Sequence, residues 1–199
     1  MTKPIRIPFS RRDVLVNTGK LSVTGLAVLA GIGISGFARA ALAADPVAAA
    51  QKDVDILNVA LGLEHQAIGA YQIGADSGLL KQPALNISLL FQSHHKAHRD
   101  ALTAAIQKLG GTPAAAQQSA EYAKSLNAET LKSQNDILEL ALKLELGAAN
   151  AFIGLVPVYQ DRELAKLTAR LVADESMHWT ALLSTLGHPL PANALTFGA

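Results

Sequence analysis

The chain of 199 residues contains no cysteine, which excludes disulfide bonds and thiolate metal ligands. Any metal site must therefore use histidine and carboxylate side chains. The sequence also lacks a glycine-rich nucleotide loop, a serine or cysteine nucleophile constellation and a haem-attachment motif. Charged residues make up only 17% of the chain, and 50% of it is hydrophobic, which suits one globular domain preceded by a targeting segment.

The first 43 residues differ in composition from the rest. A basic start is followed by a glycine-containing apolar run over 21–38 and by the small residues Ala41 and Ala43. The pair Arg11 and Arg12, in Ser-Arg-Arg-Asp-Val-Leu, resembles the twin-arginine export motif. The resemblance implies a signal peptide over 1–43, the Tat translocase as a partner during export, and a periplasmic or secreted protein. The alternative is an uncleaved membrane anchor, because the run is just long enough to span a bilayer.

The chain after residue 43 is net acidic. Six of the 17 Lys and Arg and one of the 16 Asp and Glu precede residue 44, which leaves 11 basic and 15 acidic residues, a net charge of −4. Nucleic-acid binding, which requires a basic face, is therefore not expected. The small residues over 44–52 predict a linker between the signal peptide and the domain.

Apolar residues recur at three- and four-residue steps in four segments after residue 53, and no segment reads convincingly as a strand. The segments predict helices from 53 to the glycines at 74 and 78, and over about 84–109, 135–155 and 161–187. Asp53 and Asp161 are suited to cap the first and the last of them. The sequence thus predicts an all-α four-helix domain over 53–187, followed by a tail over 188–199.

The segment 113–132 is polar and alanine-rich, with a short helix suggested around 120–124. Its roughly 20 residues, at about 3.3 Å each when extended, can run the length of a helix about 35 Å long. We therefore expect the second and third helices to be parallel and joined by one long crossover.

Glu175 and His178 lie three residues apart, so both face one side of the fourth helix, close to leucines that should be buried. Burying either side chain without a partner is costly, and a metal ion would suit both. Two Glu-x-x-His pairs and two further glutamates meet in the core of di-metal four-helix bundles.

The remaining candidates follow from an internal repeat. The first and third helices share Leu-x-Leu-Glu-x-x-Ala-x-x-Ala-aromatic at an offset of 81 residues, and an x-x-His pair in the second helix precedes that of the fourth by 80. Two repeated helical hairpins explain both offsets and bring two symmetric sets of side chains to one core. The candidate metal ligands are Glu64, His95, His98, Glu145, Glu175 and His178.

Other interpretations remain for individual residues. Glu64 or Glu145 could lie at a solvated edge, and the histidines of the second helix could form a polar stripe. His94 points about 100° away from His95 and is less suited to ligation. We expect His65 and His188 in surface or loop positions.

The stretches around Glu64, Glu145 and Glu175-Ser-Met-His178 resemble the ferritin-like superfamily, and more closely the bacterial ferritin-like proteins related to plant desiccation-related proteins. The resemblance covers about 53–186, nearly all of the chain after the signal. It implies a ferritin-like four-helix bundle with ligand positions at Glu64, His98, Glu145, Glu175 and His178.

The chain departs from this family pattern at His95, because the second helix of such di-iron sites usually supplies Glu-x-x-His. A carboxylate bridges two metals with its two oxygens, which a neutral imidazole normally does not do. We therefore expect weaker binding of two iron ions than in a four-carboxylate site. Zinc, mononuclear and degenerate sites are also open.

Two functions compete at this point. One is an exported protein whose metal ions, iron first and zinc or manganese next, serve iron oxidation or protection from oxidative and desiccation stress. The other is a structural envelope stress protein with a vestigial, metal-free site. Metal identity, substrate and oligomeric state, including a homo-oligomer, are left open.

Overall fold

The computed structural model describes residues 46–198, so the predicted signal peptide over 1–43 lies outside the described residues. Within this range the chain is all helical, as predicted, and two 3-10 turns cover Ala128–Thr130 and Val156–Val158. The five α-helices are α1 Pro46–Asp76, α2 Ala84–Lys108, α3 Ser119–Ser125, α4 Gln134–Leu155 and α5 Arg162–Leu186.

The start of α1 differs from the prediction. The helix begins at Pro46, so most of the predicted linker over 44–52 is its first two turns. Asp53 is buried inside α1 and does not cap it. Its carboxylate accepts the backbone N–H groups of Gln160 and Asp161, at 3.0 and 3.2 Å. Asp161 itself caps α5, as predicted, by accepting the N–H of Glu163 at 2.7 Å.

The helix directions follow from the pairs of residues that meet. Gln92 of α2 contacts Gln72 of α1, and His95 of α2 contacts Glu64 of α1. Residue numbers therefore rise along one helix where they fall along the other. The hydroxyl of Tyr71 in α1 meets Glu145 of α4, and Ile137 of α4 lies beside Gly74 further along α1. Both α2 and α4 are therefore antiparallel to α1 and parallel to each other, which confirms the predicted topology.

The crossover between α2 and α4 packs along α1. Asn58 donates to the carbonyl of Thr112 and accepts from the N–H of Ala114, which fixes the start of the crossover. Further on, the ring of Tyr122 in α3 lies against Gly69, where a Cβ atom would stand only 2.7 Å from the ring. Gly69 thus lets the crossover approach the helix closely, and the connection spans the length of the bundle.

The apolar core is divided into two layers by a polar layer at mid-bundle. One apolar layer contains Leu57, Leu61, Leu102, Ile106, Phe152 and Leu171. The other contains Tyr71, Phe91, Ile137, Leu138 and Leu182. Every long helix contributes to both layers, and the residues that it places between them are polar and buried. The polar layer is therefore shielded from both ends of the bundle.

Among residues 46–198, one stretch, 134–158, is apolar and long enough to cross a membrane by length and composition, with a mean hydropathy of 1.4. It comprises α4 and the turn after it. Core helices of soluble proteins meet the same criterion, and here α4 carries the buried Glu145 into the polar layer.

Candidate metal centre

The polar layer is built from all four long helices. Single glutamates come from α1 and α4, whereas α2 and α5 each contribute two side chains three residues apart, on one helix face. The structure brings together all six candidates, each at most 6% exposed: Glu64, His95, His98, Glu145, Glu175 and His178. These six residues are called the metal centre below.

The metal centre divides into two overlapping sets, in each of which the potential ligand atoms all lie within 4.8 Å of one another. The first set comprises Glu64, His95, His98 and Glu175. The second set comprises His95, Glu145, Glu175 and His178. His95 and Glu175 belong to both, so the two sets are adjacent and share one nitrogen-donor and one oxygen-donor residue.

His95 lies between glutamates from two different helices. Its Nδ1 is 2.8 Å from Oε2 of Glu64, and its Nε2 is 3.2 Å from Oε1 of Glu145. A neutral imidazole carries one N–H and could donate to only one of them, whereas an imidazolium donates to both. In the metal-free protein the two carboxylates therefore hold His95 as a cation.

Four buried atoms of the metal centre have no hydrogen-bond partner: Glu64 Oε1, His98 Nδ1 and both oxygens of Glu175. His98 Nδ1 is within ion-pair distance of Glu175 Oε1, at 3.2 Å, and of Glu64 Oε1, at 3.4 Å. These contacts lack hydrogen-bond geometry, and unpaired buried polar atoms are costly. A cation between the three residues would satisfy them, so the donor set fits a metal ion.

The carboxylates differ in how readily they ionise. Burial alone would raise the pKa of Glu64, but the hydrogen bond from His95 and the nearby ring of His98 outweigh burial and lower it. Burial is likewise outweighed at Glu145, where His178 and His95 hold the pKa well below its usual range. At Glu175 burial prevails and raises the pKa, although His178 and His98 lie within ion-pair distance and oppose the shift. Glu175 is thus the acid with the greatest need of a cation.

The pKa values of all three histidines in the metal centre are raised. Burial disfavours the charged form of His98, yet Glu175 and Glu64 overcome it and raise the pKa to about 10. Burial is similarly overcome by the neighbouring glutamates at His95 and His178, whose pKa values are also raised. Protons and metal ions therefore compete for the same nitrogens.

We predict that the metal-free protein loses stability as the pH rises from about 6.5 towards about 10. The raised pKa of His98 stabilises the fold fully below the unfolded-state value near 6.5, and this contribution is lost through the folded value of about 10. Thermal denaturation in chelator across this range measures the effect. His98→Ala should flatten the profile, and an equally steep profile in that variant would assign the loss elsewhere.

Three residues outside the metal centre orient its side chains. Asp174 Oδ2 lies 3.1 Å from Nε2 of His98, and His94 Nδ1 lies 2.9 Å from Nε2 of His178. The hydroxyl of Tyr71 donates to Oε1 of Glu145. The inner nitrogens of His98 and His178 are thus directed towards the centre by partners on their outer nitrogens, and Tyr71 fixes the carboxylate of Glu145. His94 and Asp174 are partly exposed, so their hydrogen bonds connect the buried His178 and His98 to the surface of α2 and α5.

Sequence reasoning did not identify two of these partners. Tyr71 is the aromatic residue of the repeat in the first helix, and it follows Glu64 by two helical turns and so shares its face. Asp174 meets His98 of another helix, a contact across helices that local sequence spacing does not indicate. His94 is outside both sets, as expected. His65 meets the carbonyl of Ala114 at the surface, away from the metal centre.

Asp174→Ala is predicted to lower metal affinity by about 10–100-fold, because outer partners of ligating histidines typically have effects of this size. Isothermal titration of metal-depleted protein with Zn²⁺ measures it. Asp100→Ala, which removes an exposed aspartate paired with Arg99 on α2, is the matched control. Equal affinities of the two variants would show that Asp174 does not orient His98 for ligation.

Comparison with known proteins places the fold. The chain belongs to the ferritin-like family, whose domain model matches residues 52–188. A conserved hypothetical protein from Mycobacterium tuberculosis has a similar structure, with a TM-score of 0.59 and 22% identity over 72% of this chain and 96% of that chain. Ferritin-like, diiron-carboxylate proteins from Bacillus anthracis str. Ames have a similar structure as well, with a TM-score of 0.51 and 20% identity over 69% of this chain and 96% of that chain. No curated protein matches the chain.

Proposed function

We propose that this protein binds iron at the metal centre and oxidises it with peroxide or oxygen, as an exported protein of oxidative or desiccation stress. The observation that carries the proposal is the pair of adjacent ligand sets, each with two nitrogen-donor and two oxygen-donor residues in a buried layer. Such donors suit first-row transition metals, iron among them. The similar structures from Bacillus anthracis bear the description diiron-carboxylate, which supports iron first.

Bound iron would supply the electrons. Two ferrous ions give two electrons to one hydrogen peroxide molecule, which takes up two protons and leaves as two water molecules. The chain's own residues would hold the ions and exclude bulk water through the apolar layers on either side. Protons displaced from the histidines by metal binding would leave past His94 and Asp174.

The test adds hydrogen peroxide to metal-depleted protein loaded anaerobically with Fe²⁺ and follows ferric absorbance. The wild type is expected to oxidise iron faster than buffer does, whereas Glu145→Ala should match buffer because its ligand oxygens are gone. His188→Ala, an exposed histidine paired with Glu139, is the control that should keep the wild-type rate. A wild-type rate equal to that of buffer would refute iron oxidation.

A metal-free structural protein is the second candidate, and one observation favours it. The three glutamates of the metal centre face three histidines within ion-pair distance, so protonated histidines would neutralise them without any metal. Metal analysis of protein purified from its native compartment decides between the two candidates. Stoichiometric metal supports the first, and protein that is metal-free and remains so after loading supports the second.

Export is proposed from Arg11, Arg12 and the small residues before residue 44. The double substitution Arg11→Lys with Arg12→Lys should retain the protein inside the cell, and mass spectrometry of exported protein should find Ala44 or a close neighbour at the N-terminus. Exported protein that retains Met1 would instead support the uncleaved membrane anchor.

A further inference from the structure

We propose that His95 is a bridging ligand, coordinating one metal ion through Nδ1 and a second through Nε2. The inference rests on the proposed metal centre and specifies how the centre holds two divalent ions. It concerns the position at which the chain departs from carboxylate-bridged sites. There His95 would provide, through two ring nitrogens, the connection that a glutamate makes through two oxygens.

The ring of His95 is placed for this role. Nδ1 faces Glu64 of α1 at 2.8 Å, and Nε2 faces Glu145 of α4 at 3.2 Å. The two nitrogens therefore point towards opposite halves of the metal centre. Nδ1 belongs with the first set and Nε2 with the second. A terminal ligand would need only one of these contacts, and its other nitrogen would turn to an outer partner, as in His98 and His178.

Neighbouring rings hold His95 in this orientation. Tyr71 stacks on it with ring centroids 5.4 Å apart and an interplanar angle of 30°. His98 and His178 meet it edge-on, with centroids at 5.7 and 5.2 Å. His95 itself is 1% exposed. A ring enclosed in this way keeps both nitrogens in place, which is the preorganisation that a bridging ligand requires.

Glu175 complements His95 from the opposite hairpin. Its Oε1 lies 3.2 Å from Nδ1 of His98, in the first set, and its Oε2 lies 3.4 Å from Nδ1 of His178, in the second. Each ion would thus receive one glutamate and one histidine of its own, together with one nitrogen from His95 and one oxygen from Glu175. His95 and Glu175 occupy equivalent positions of the internal repeat, 80 residues apart.

The proton balance follows from the ring. In the metal-free protein His95 is an imidazolium with an N–H on each nitrogen, so coordination through both nitrogens releases two protons to water. The two ions would stand on opposite sides of the ring and be further apart than the about 3.5–4 Å of common two-metal sites. The bridge therefore predicts electronic coupling between two ions that are further apart than in a carboxylate-bridged pair.

The test titrates metal-depleted full-length protein with Cu²⁺, measuring copper per chain by mass spectrometry and unpaired spins by electron paramagnetic resonance. The wild type is expected to bind two copper ions, with integrated spins well below total copper because the bridge couples them. In His95→Gln the coupling should weaken to what the shared Glu175 alone transmits, and the affinity for the second ion should fall at least tenfold. His188→Gln and His65→Gln should retain the wild-type signal.

The possible outcomes distinguish failure of the bridging role of His95 from failure of metal binding itself. Two uncoupled copper ions, one copper per chain, or coupling as strong in His95→Gln as in the wild type would each overturn the bridge while leaving a metal centre. No bound copper in the wild type would overturn the proposed function as well. His95→Glu is the second variant, should His95→Gln not fold. It should still bind two ions, and X-ray absorption should find them closer together than in the wild type.

Discussion

Glu175→Ala is expected to lower the affinity for divalent metal ions by at least about a hundredfold, beyond the 10–100-fold typical of outer partners. Glu175 is fully buried and belongs to both ligand sets, so its loss removes an oxygen from each. It is also the glutamate whose pKa burial raises, which marks it as the acid least compensated by its histidine neighbours. Titration with Zn²⁺ and metal analysis after dialysis measure the change.

The matched control for Glu175→Ala is Glu139→Ala, which removes an exposed glutamate from α4. It should bind metal like the wild type. Glu175→Gln keeps the shape of the side chain, so it separates loss of the ligand from a cavity in the core. Wild-type metal content in both Glu175 variants would exclude this residue from the centre and with it the two-set arrangement.

Chelation of the metal is expected to lower the melting temperature by about 5–11 °C. A ligand that binds only the folded state at a hundred times its dissociation constant adds about 2.7 kcal/mol. For a domain of 150–250 residues, 1 kcal/mol corresponds to about 2–4 °C. Differential scanning calorimetry with iron, zinc or manganese, and then with chelator, gives the difference.

The same scans on Glu175→Ala supply the control, because a protein without the site should melt at one temperature in metal and in chelator. A wild type that also melts at one temperature under both conditions would count against metal binding. Since the apo centre is held by ion pairs between glutamates and histidines, we expect it to stay folded when stripped.

Much of the fold could be predicted from local signals. Pro83 and the glycines at 110 and 111 bracket α2, and Asp161 and Gly187 bracket α5, where Gly187 adopts a left-handed φ of +73°. Such signals act within a few residues and so are readable from the sequence. The parallel α2 and α4 followed from the length of the crossover alone.

The first turns of α1 could not be predicted in the same way. Asp53 has the side chain of an N-cap, but its carboxylate caps backbone groups 107 and 108 residues away. Which helix end an aspartate caps is decided by tertiary packing when the residue is buried. The alanines over 48–50 favour a helix as readily as a linker, and only their place at the start of α1 distinguishes the two.

The convergence of the metal centre was predictable because the repeat fixes corresponding positions on four helices. The orientation of individual rings was not, since it depends on contacts across helices. His95 illustrates this limit: its departure from the family pattern is visible in the sequence, whereas the direction of its two nitrogens is set by Glu64 and Glu145 from two other helices.

The most direct test of the metal centre is an anomalous-difference map from crystals of the protein loaded with iron or zinc. We predict peaks in the polar layer between the two apolar layers, at about 2.0–2.2 Å from the oxygens and nitrogens of the two sets. Peaks confined to surface histidines such as His65 and His188, with none at Glu175, would contradict the account.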